Sequence, residues 1–331
     1  FFDADGRPTY RQYFDKVGIL EASVLLDSTG MVLDSAHLEN GTGSMKLKSY
    51  GGSVFFEGNY IRGERHGLCR WYYGNGQPES EGLYQLGKKK QLWTYYHPNG
   101  KIRQRGTFVY DEPDGVWEEF DFFGSRIDLT TYAHGKRNGL TATFGTSGSR
   151  THEYDYRDGE PHGTATFFNP GGEVKVFRYY ENGRLTGYAA ADATGKALEF
   201  TPVKNATAVI KTNFPNGSPA VAYAFVNGEL DGPFEQFYSN GDPRLKTNYI
   251  KGREEGQALL YYPNGQVELD ENNVNGTHNG SYQLFYENGQ VKVDGHYRRG
   301  QKHGTFRYYT NTGKLLGTYV YFNDNLLREL K

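Results

Sequence analysis

The chain has 331 residues, a formal net charge of −2 and 36% apolar residues, much of this from 28 Tyr and 21 Phe. Near-neutral charge offers no global field to attract nucleic acid or a membrane. The lone cysteine, Cys69, rules out an internal disulfide and any CxxC metal site, and no apolar run approaches the ~18–20 residues of a spanning helix.

A fixed period organises the chain. One turn glycine recurs as Gly6, Gly30, Gly52, Gly76, Gly100, Gly124, Gly148, Gly172, Gly195, Gly217, Gly241, Gly265, Gly289 and Gly313, and ten of those thirteen intervals are 24 residues. A second series includes Gly63, Gly87, Gly135, Gly159, Gly183, Gly228, Gly252, Gly276 and Gly300. Asp111 and Asp324 stand in for glycine there, since Asp tolerates the left-handed conformation. Aromatic rows keep the same spacing, such as Tyr72, Tyr96, Phe120 and Phe144, or Tyr60, Tyr84, Phe108 and Tyr132. Tyr and Phe favour a pleated, half-buried surface and glycine supplies the turns, so the unit is a β-hairpin. The expected fold is all-β: an elongated, solenoid-like single-layer antiparallel sheet of about fourteen hairpins, each about 24 residues and each leaning on its neighbours.

Residues 1–50 keep the period but lose most of the rings. Phe2 and Asp5-Gly6 match the pattern, Leu26 replaces a ring and Lys48 departs from it. Residues 24–33, VLLDSTGMVL, read as two apolar strands around a turn, and the segment reads as a cap of degenerate repeats. Residues 51–184 are regular. Their Asn75-Gly76 and Asn99-Gly100 pairs predict type I′ turns with two positive φ angles, and later copies are Phe123-Gly124, Ser147-Gly148 and Gly171-Gly172. Over residues 185–222 the spacing shortens, Ala191 and Asn213 enter the aromatic row, and the second glycine series skips a member near Lys204-Asn205. A kink, bulge or gap is expected at this seam. Residues 223–331 resume the pattern, with Asn240-Gly241, Asn264-Gly265 and Asn288-Gly289 as turns; Leu326, Leu327 and Leu330 are placed to fold over the last edge.

Catalytic signatures are missing from this pattern. His66, His162 and His303 all precede a turn glycine; His66 and His162 are four repeats apart, too far to share a metal. The doublets Glu118-Glu119 and Glu254-Glu255 put neighbouring carboxylates on opposite faces of a strand. No phosphate loop opens a helix, and no nucleophile elbow or zinc-protease motif occurs. The expectation is therefore not an enzyme, with no cofactor and no metal. Cys69 falls at a strand position suited to a small buried thiol.

Charge offers the one candidate site. Lys88, Lys89 and Lys90 sit at one turn, and alternation predicts that Lys101, Arg103 and Arg105 share a face of the next strand. Asp111, Glu112, Asp114, Glu118 and Glu119 follow, so a basic band abuts an acidic one. Solvated cross-strand pairing is the ordinary reading; a bipolar stripe that docks a charged partner is the functional one. Anionic lipid or glycan at the basic band is the alternative, and nucleic acid is not expected.

The repeat resembles the MORN repeat, and more closely its bacterial variant, in which a YYxNG turn follows a GxYxxGxxxG stretch. Residues 82–100 (GLYQLGKKKQLWTYYHPNG) and 295–309 (GHYRRGQKHGTFRYY) carry that pattern nearly whole, and it spans roughly 52–322. The resemblance implies elongated sheets of hairpins that act as scaffolding or membrane-associated modules. It further implies a non-catalytic protein-interaction scaffold in an exported or envelope setting, with antitoxin-like binding as a variant. Because the chain begins at Phe1 rather than Met, a cleaved export signal or a trimmed terminus is expected.

Overall fold

Two kinds of turn alternate along the chain, and they divide the glycines between them. The computed structural model describes residues 10–27, 29–48, 52–145, 148–169, 172–192, 194–203, 207–214 and 216–330. Phe2, Asp5-Gly6, Ser28, Ser147, Gly171 and Lys204-Asn205 lie outside them. The two-residue turns belong to the second glycine series, where both residues have positive φ: Arg62 at 52° and Gly63 at 78°, Tyr110 at 52° and Asp111 at 73°, Asn323 at 49° and Asp324 at 65°. These are the type I′ turns, and aspartate does replace glycine in them.

The Asn-Gly pairs are different. In residues 73–77 only Gly76 has positive φ, at 84°. Tyr73 N donates to Gln77 O at 2.8 Å and Gly76 N to Tyr73 O at 2.9 Å, which closes a three-residue loop of a type I turn and a left-handed glycine. Asn75 stays right-handed because its Oδ1 accepts the Gln77 N–H at 3.1 Å. The type I′ expectation at Asn-Gly is thus corrected: asparagine serves there as a side-chain acceptor, not as a left-handed residue.

Among the described residues the three-residue loops, that of residues 192–196 apart, are each followed by one bulged residue. Tyr95 pairs with Gln104 and Tyr96 with Ile102, which leaves Arg103 over. Lys175, Arg244 and Glu268 are left over in the same way in their own repeats. A bulge turns its extra side chain off the simple alternation.

The chain divides into two compact units. The first is Phe1–Gly148 with Tyr156–Gly159. Strands Tyr10–Phe14, Leu20–Leu26 and Val32–His37 form a three-stranded sheet there. From Gly43–Lys48 to Lys136–Phe144 the strands pair antiparallel with their sequence neighbours. Leu20 and Leu38 of the N-terminal segment join Met45, Phe56, Tyr60, Cys69, Tyr84 and Trp93 in one core.

A thin sheet covers that face with its own rings. Trp93, only 1% exposed, lies flat across Gly82, where an added Cβ would come within 2.3 Å of the indole. Trp117 crosses Gly106 in the same manner, at 2.1 Å, and Phe306 crosses Gly295 at 2.3 Å. These strand-interior glycines are required by close approach of a ring. Edge-on contacts, Tyr84 to Trp93 at 5.1 Å and Phe108 to Trp117 at 4.8 Å, carry the stack from one repeat to the next.

Three hydrogen-bond series also join successive repeats. The second tyrosine and the asparagine of a turn reach carbonyls 23 residues on, as Tyr262 to Phe285 and Asn264 to Glu287, both at 2.9 Å. Turn amides such as Gly87 N donate to the preceding repeat, here to Arg65 O at 2.9 Å. A polar side chain accepts the turn amide 20 residues later, as Asp114 does from His134 N at 3.3 Å. His162 and His303 occupy that last position, facing Asn182 N and Asn323 Oδ1.

The second unit is Ser149–Asp155 with Glu160–Lys331. One run of paired strands goes from Glu160–Phe168 to Thr201–Pro202, and another from Ala208–Asn213 to Asn325–Leu330. Between them the sheet is broken, and the two runs pack face to face. Val176 and Leu185 of one share a core with Ile210, Val221, Tyr223, Phe225 and Phe234 of the other. In this stretch the sheet is therefore doubled. The C-terminal segment Asn325–Leu330 is a strand paired to Leu315–Phe322 and does not fold over the edge, and Leu327 is 63% exposed.

Candidate protein-binding face

The basic residues of the first unit are dispersed. Lys88 Nζ is 2.8 Å from Asp111 Oδ2, while Asp111 Oδ1 accepts Lys89 N at 2.7 Å. Lys89 turns inward: its Nζ lies 4.3 Å from the Trp93 ring and 4.9 Å from that of Phe108, and donates to Tyr95 Oη at 2.9 Å. Burial draws its pKa down. Lys90 donates to Gln85 at 2.7 Å and stands over Tyr110.

Lys101, Arg103 and Arg105 do not share one face. Lys101 lies in the turn and donates to Phe123 O at 2.6 Å. Arg103 is the bulged residue; it stands over Tyr95, with Glu79 near enough to feel its charge. Arg105 pairs with Thr94 in register and points to the opposite face, where it meets Glu118 at 2.7 Å. Alternation fails because it assumes an unbroken strand, and the bulge resets the count. Among the acidic residues, Asp114 accepts a turn amide, Glu112 packs beside Gly135 and Glu119 stands in register with Gln104. The basic band thus presents less open charge than its order in the chain suggests.

The face opposite the tryptophans is organised in rows. One is a cross-strand charge row in continuous register: Lys46, Glu57, Arg70, Glu81, Thr94, Arg105, Glu118 and Leu129. Arg70 meets Glu81 at 2.8 Å, and Arg126 joins the row through Glu118 at 2.6 Å. A second row holds Tyr72, Tyr96 and Phe120; the Tyr72 hydroxyl bonds Glu57, and Tyr96 donates to Glu81 at 2.8 Å.

The third row is aliphatic and exposed. Leu68, Leu92 and Val116 recur every 24 residues, with Leu92 58% exposed. Leu86 and Tyr110, in two successive type I′ turns, are each 55% exposed. In the second unit the corresponding strand residues are Pro233, Gln257, Ser281 and Thr305, and the corresponding turn residues are Asn227, Lys251, Asn275 and Arg299. Apart from Pro233, the same fold therefore does without apolar side chains at these positions. Comparing equivalent positions between repeats would have exposed this row, whereas reading charge order along one strand did not.

Most perturbed groups of the second unit lie between its packed runs. Arg178, 3% exposed, occupies the register position that Gly82 and Gly106 hold elsewhere; its Nε donates to Tyr223 Oη at 2.8 Å, and its guanidinium sits 4.1 Å from the Phe167 ring. Lys175, 8% exposed, is pulled down to about 7 by burial and by Arg244 nearby. His152, stacked on Phe167, is pulled down to about 4 by burial, Arg178 and Arg244. Farther along, His278 Nδ1 lies 3.0 Å from Glu271 Oε2, and Asn273 bridges Glu271 and Glu254. The bond to Glu271 raises the His278 pKa, and burial raises that of Glu254. Long side chains at a glycine position were the available signal for this layer. Cys69 is fully buried, and burial lifts its thiol to about 11, so it stays protonated. Among the described residues no three His, Cys, Asp or Glu side chains gather as metal ligands.

The sequence pattern of the MORN repeat variant matches residues 65–86, 92–110, 230–251, 254–272, 279–299 and 302–324. The chain is a MORN-repeat protein. MORN repeats are generally modules that bind proteins or membranes. The matched stretches of this MORN chain lie in both units and include Leu68, Leu92 and the turn residue Tyr110. No curated protein matches it in sequence. Solved structures with similarity include TcdB2-TccC3, at 12% identity and a TM-score of 0.18, and TcdB2-TccC3-Cdc42, at 11% and 0.19; each match covers 97% of the MORN chain and 20% of the other. The Photorhabdus luminescens Tc holotoxin pore is similar at 13% identity and a TM-score of 0.17, over 95% of this chain and 17% of that one. The chain spans about a fifth of the length of these structures, and likeness at such scores bears on neither function nor partner.

Proposed function

We propose that this MORN-repeat chain is a non-catalytic protein-interaction scaffold whose binding surface is the exposed face of the first unit. The supporting observation is the row Leu68, Leu92 and Val116 with Leu86 and Tyr110, kept apolar where the second unit, Pro233 apart, uses polar residues. Exposed contiguous apolar surface costs solubility unless something covers it, and such patches mark interaction sites. The non-catalytic part is supported by the placement of Arg178 and Lys175, which are packed between strands instead of opening to a substrate. An exported or envelope setting belongs to the same proposal, and cell fractionation with an antibody to the chain tests it.

The binding reading is tested by grafting. Leu68→Ser, Leu92→Gln and Val116→Thr import the side-chain chemistry that the second unit already accommodates, so folding should survive. Used as bait beside the unaltered chain, the triple variant should lose a partner that the unaltered chain retains stoichiometrically. Equal recovery by both baits would contradict the assignment of this face.

A further inference from the structure

The charge row of the first unit has a symmetry that its own folding does not require. Outward from Thr94, one side reads Glu81, Arg70, Glu57 and the other reads Arg105, Glu118, with Arg126 beside Leu129. Glu81 and Arg70 therefore each have a residue of opposite sign at the same distance across Thr94. A row made only for internal pairing needs alternation, which is present on both sides, but it does not need the phase reversal at a neutral residue. In the second unit the corresponding row reads Glu235, Lys246, Leu259, Asp270 and Gln283; Lys246 and Asp270 oppose across Leu259, but Glu235 faces the neutral Gln283, so the complementarity stops at one pair where the first unit has two.

We infer that this face binds the same face of a second copy of the chain, through a two-fold axis that runs along the strand at Thr94. Such an axis reverses the order of strands and keeps each row opposite itself. Glu81 then meets Arg105 of the second copy, Arg70 meets Glu118, and Glu57 approaches Arg126. The aliphatic row closes on itself in the same operation, with Leu92 against Leu92 and Leu68 against Val116, and Tyr96 meets Tyr96. A two-fold interface must be self-complementary in this way. The strands from Val54–Ile61 to Arg126–Ala133 offer a face of roughly 29 by 26 Å at strand spacings of ~4.8 Å and rises of ~3.3 Å. That is about 750 Å² per copy, close to the ~800 Å² of a standard interface. Sheets of this kind pack face to face about 10 Å apart, close enough for both rows to engage. The inference rests on the reading of this face as a binding surface and specifies its occupant.

Sedimentation velocity on the full chain tests it with two single variants. Arg105→Glu sets two carboxylates against each other across the axis, and Glu81→Lys sets two cations against each other there. Each variant alone should therefore dimerise at least about tenfold more weakly. An equimolar mixture should recover the dimer, because each altered residue then faces an opposite charge. Loss of internal pairs cannot produce that recovery, so mixing separates association from misfolding. Thr94→Cys treated with a short bismaleimide should cross-link two copies, and Gln257→Cys should not, with buried Cys69 silent in both. A monomer at all concentrations up to ~100 μM, above the micromolar range expected of such an area, would overturn the inference. So would a dimer indifferent to both reversals, or variants that weaken without recovering on mixing. A monomer whose grafted variant still loses a different partner would leave the scaffold reading intact and remove only the second copy as occupant.

Discussion

Replacing Gly106 by alanine probes how a thin sheet makes a core. The added Cβ would lie 2.1 Å from Cδ2 of Trp117 and 2.3 Å from its Cε2, where contacts below 3.0 Å force something to move. Trp117 is only 6% exposed and is held by its Nε1 bond to Thr107 O at 3.1 Å and by Phe108 at 4.8 Å. Overpacking of this kind costs about 1–3 kcal/mol, against which alanine regains about 0.5–1 kcal/mol of the glycine entropy term. The net expectation is a loss of about 1–2 kcal/mol, read by urea unfolding followed through tryptophan fluorescence. The reasoning is sharpest as a cycle. Trp117→Ala alone should cost about 3–5 kcal/mol, and Gly106→Ala added to it should be neutral or slightly stabilising, since the ring it struck is gone. A Gly106→Ala penalty that persists without Trp117 would refute the account of these glycines.

Further outcomes follow from particular contacts. Tyr262→Phe removes the hydroxyl bonded to Phe285 O and should cost about 0.5–1.5 kcal/mol in thermal unfolding. Lys175 is depressed in the folded state to about 7, so folding is opposed at and below that pH and the opposition fades as pH rises toward the unfolded value near 10.5. Lys175→Met should therefore stabilise by about 1–3 kcal/mol at pH 7, with a gain that shrinks by pH 10; a constant or negative effect would count against the buried, depressed lysine. His278 is raised by Glu271, so its contribution is full below the ordinary histidine value and is lost as pH rises through the raised one. His278→Asn should accordingly flatten the fall in melting temperature between about pH 6 and 8.

The hairpin period, the two turn series and the aromatic rows were legible because each repeats at fixed spacing and each has one physical cause. What escaped depended on single residues inside the period. Asn75 and Asn99 look like left-handed turn residues, yet their side chains hold right-handed turns and leave the positive φ to Gly76 and Gly100. Arg103 looks coplanar with Arg105, yet one bulged residue separates their faces. At the seam, the faltering pattern predicted a break, and the sheet is broken there; what the period did not disclose is that the two runs then pack face to face, with Arg178 of one bonded to Tyr223 of the other. Periodicity reports what all repeats share, whereas the exposed row at Leu68, Leu92 and Val116 is visible only as a difference between repeats of one chain.

Hydrogen–deuterium exchange on the purified chain, alone and bound to whichever partner the capture yields, tests the scaffold claim most directly. The account predicts slowed exchange confined to the strands between Val54 and Ala133, with the corresponding strands of residues 219–309 unchanged. Protection that falls on the second unit and leaves Leu68, Leu92 and Val116 untouched would contradict it.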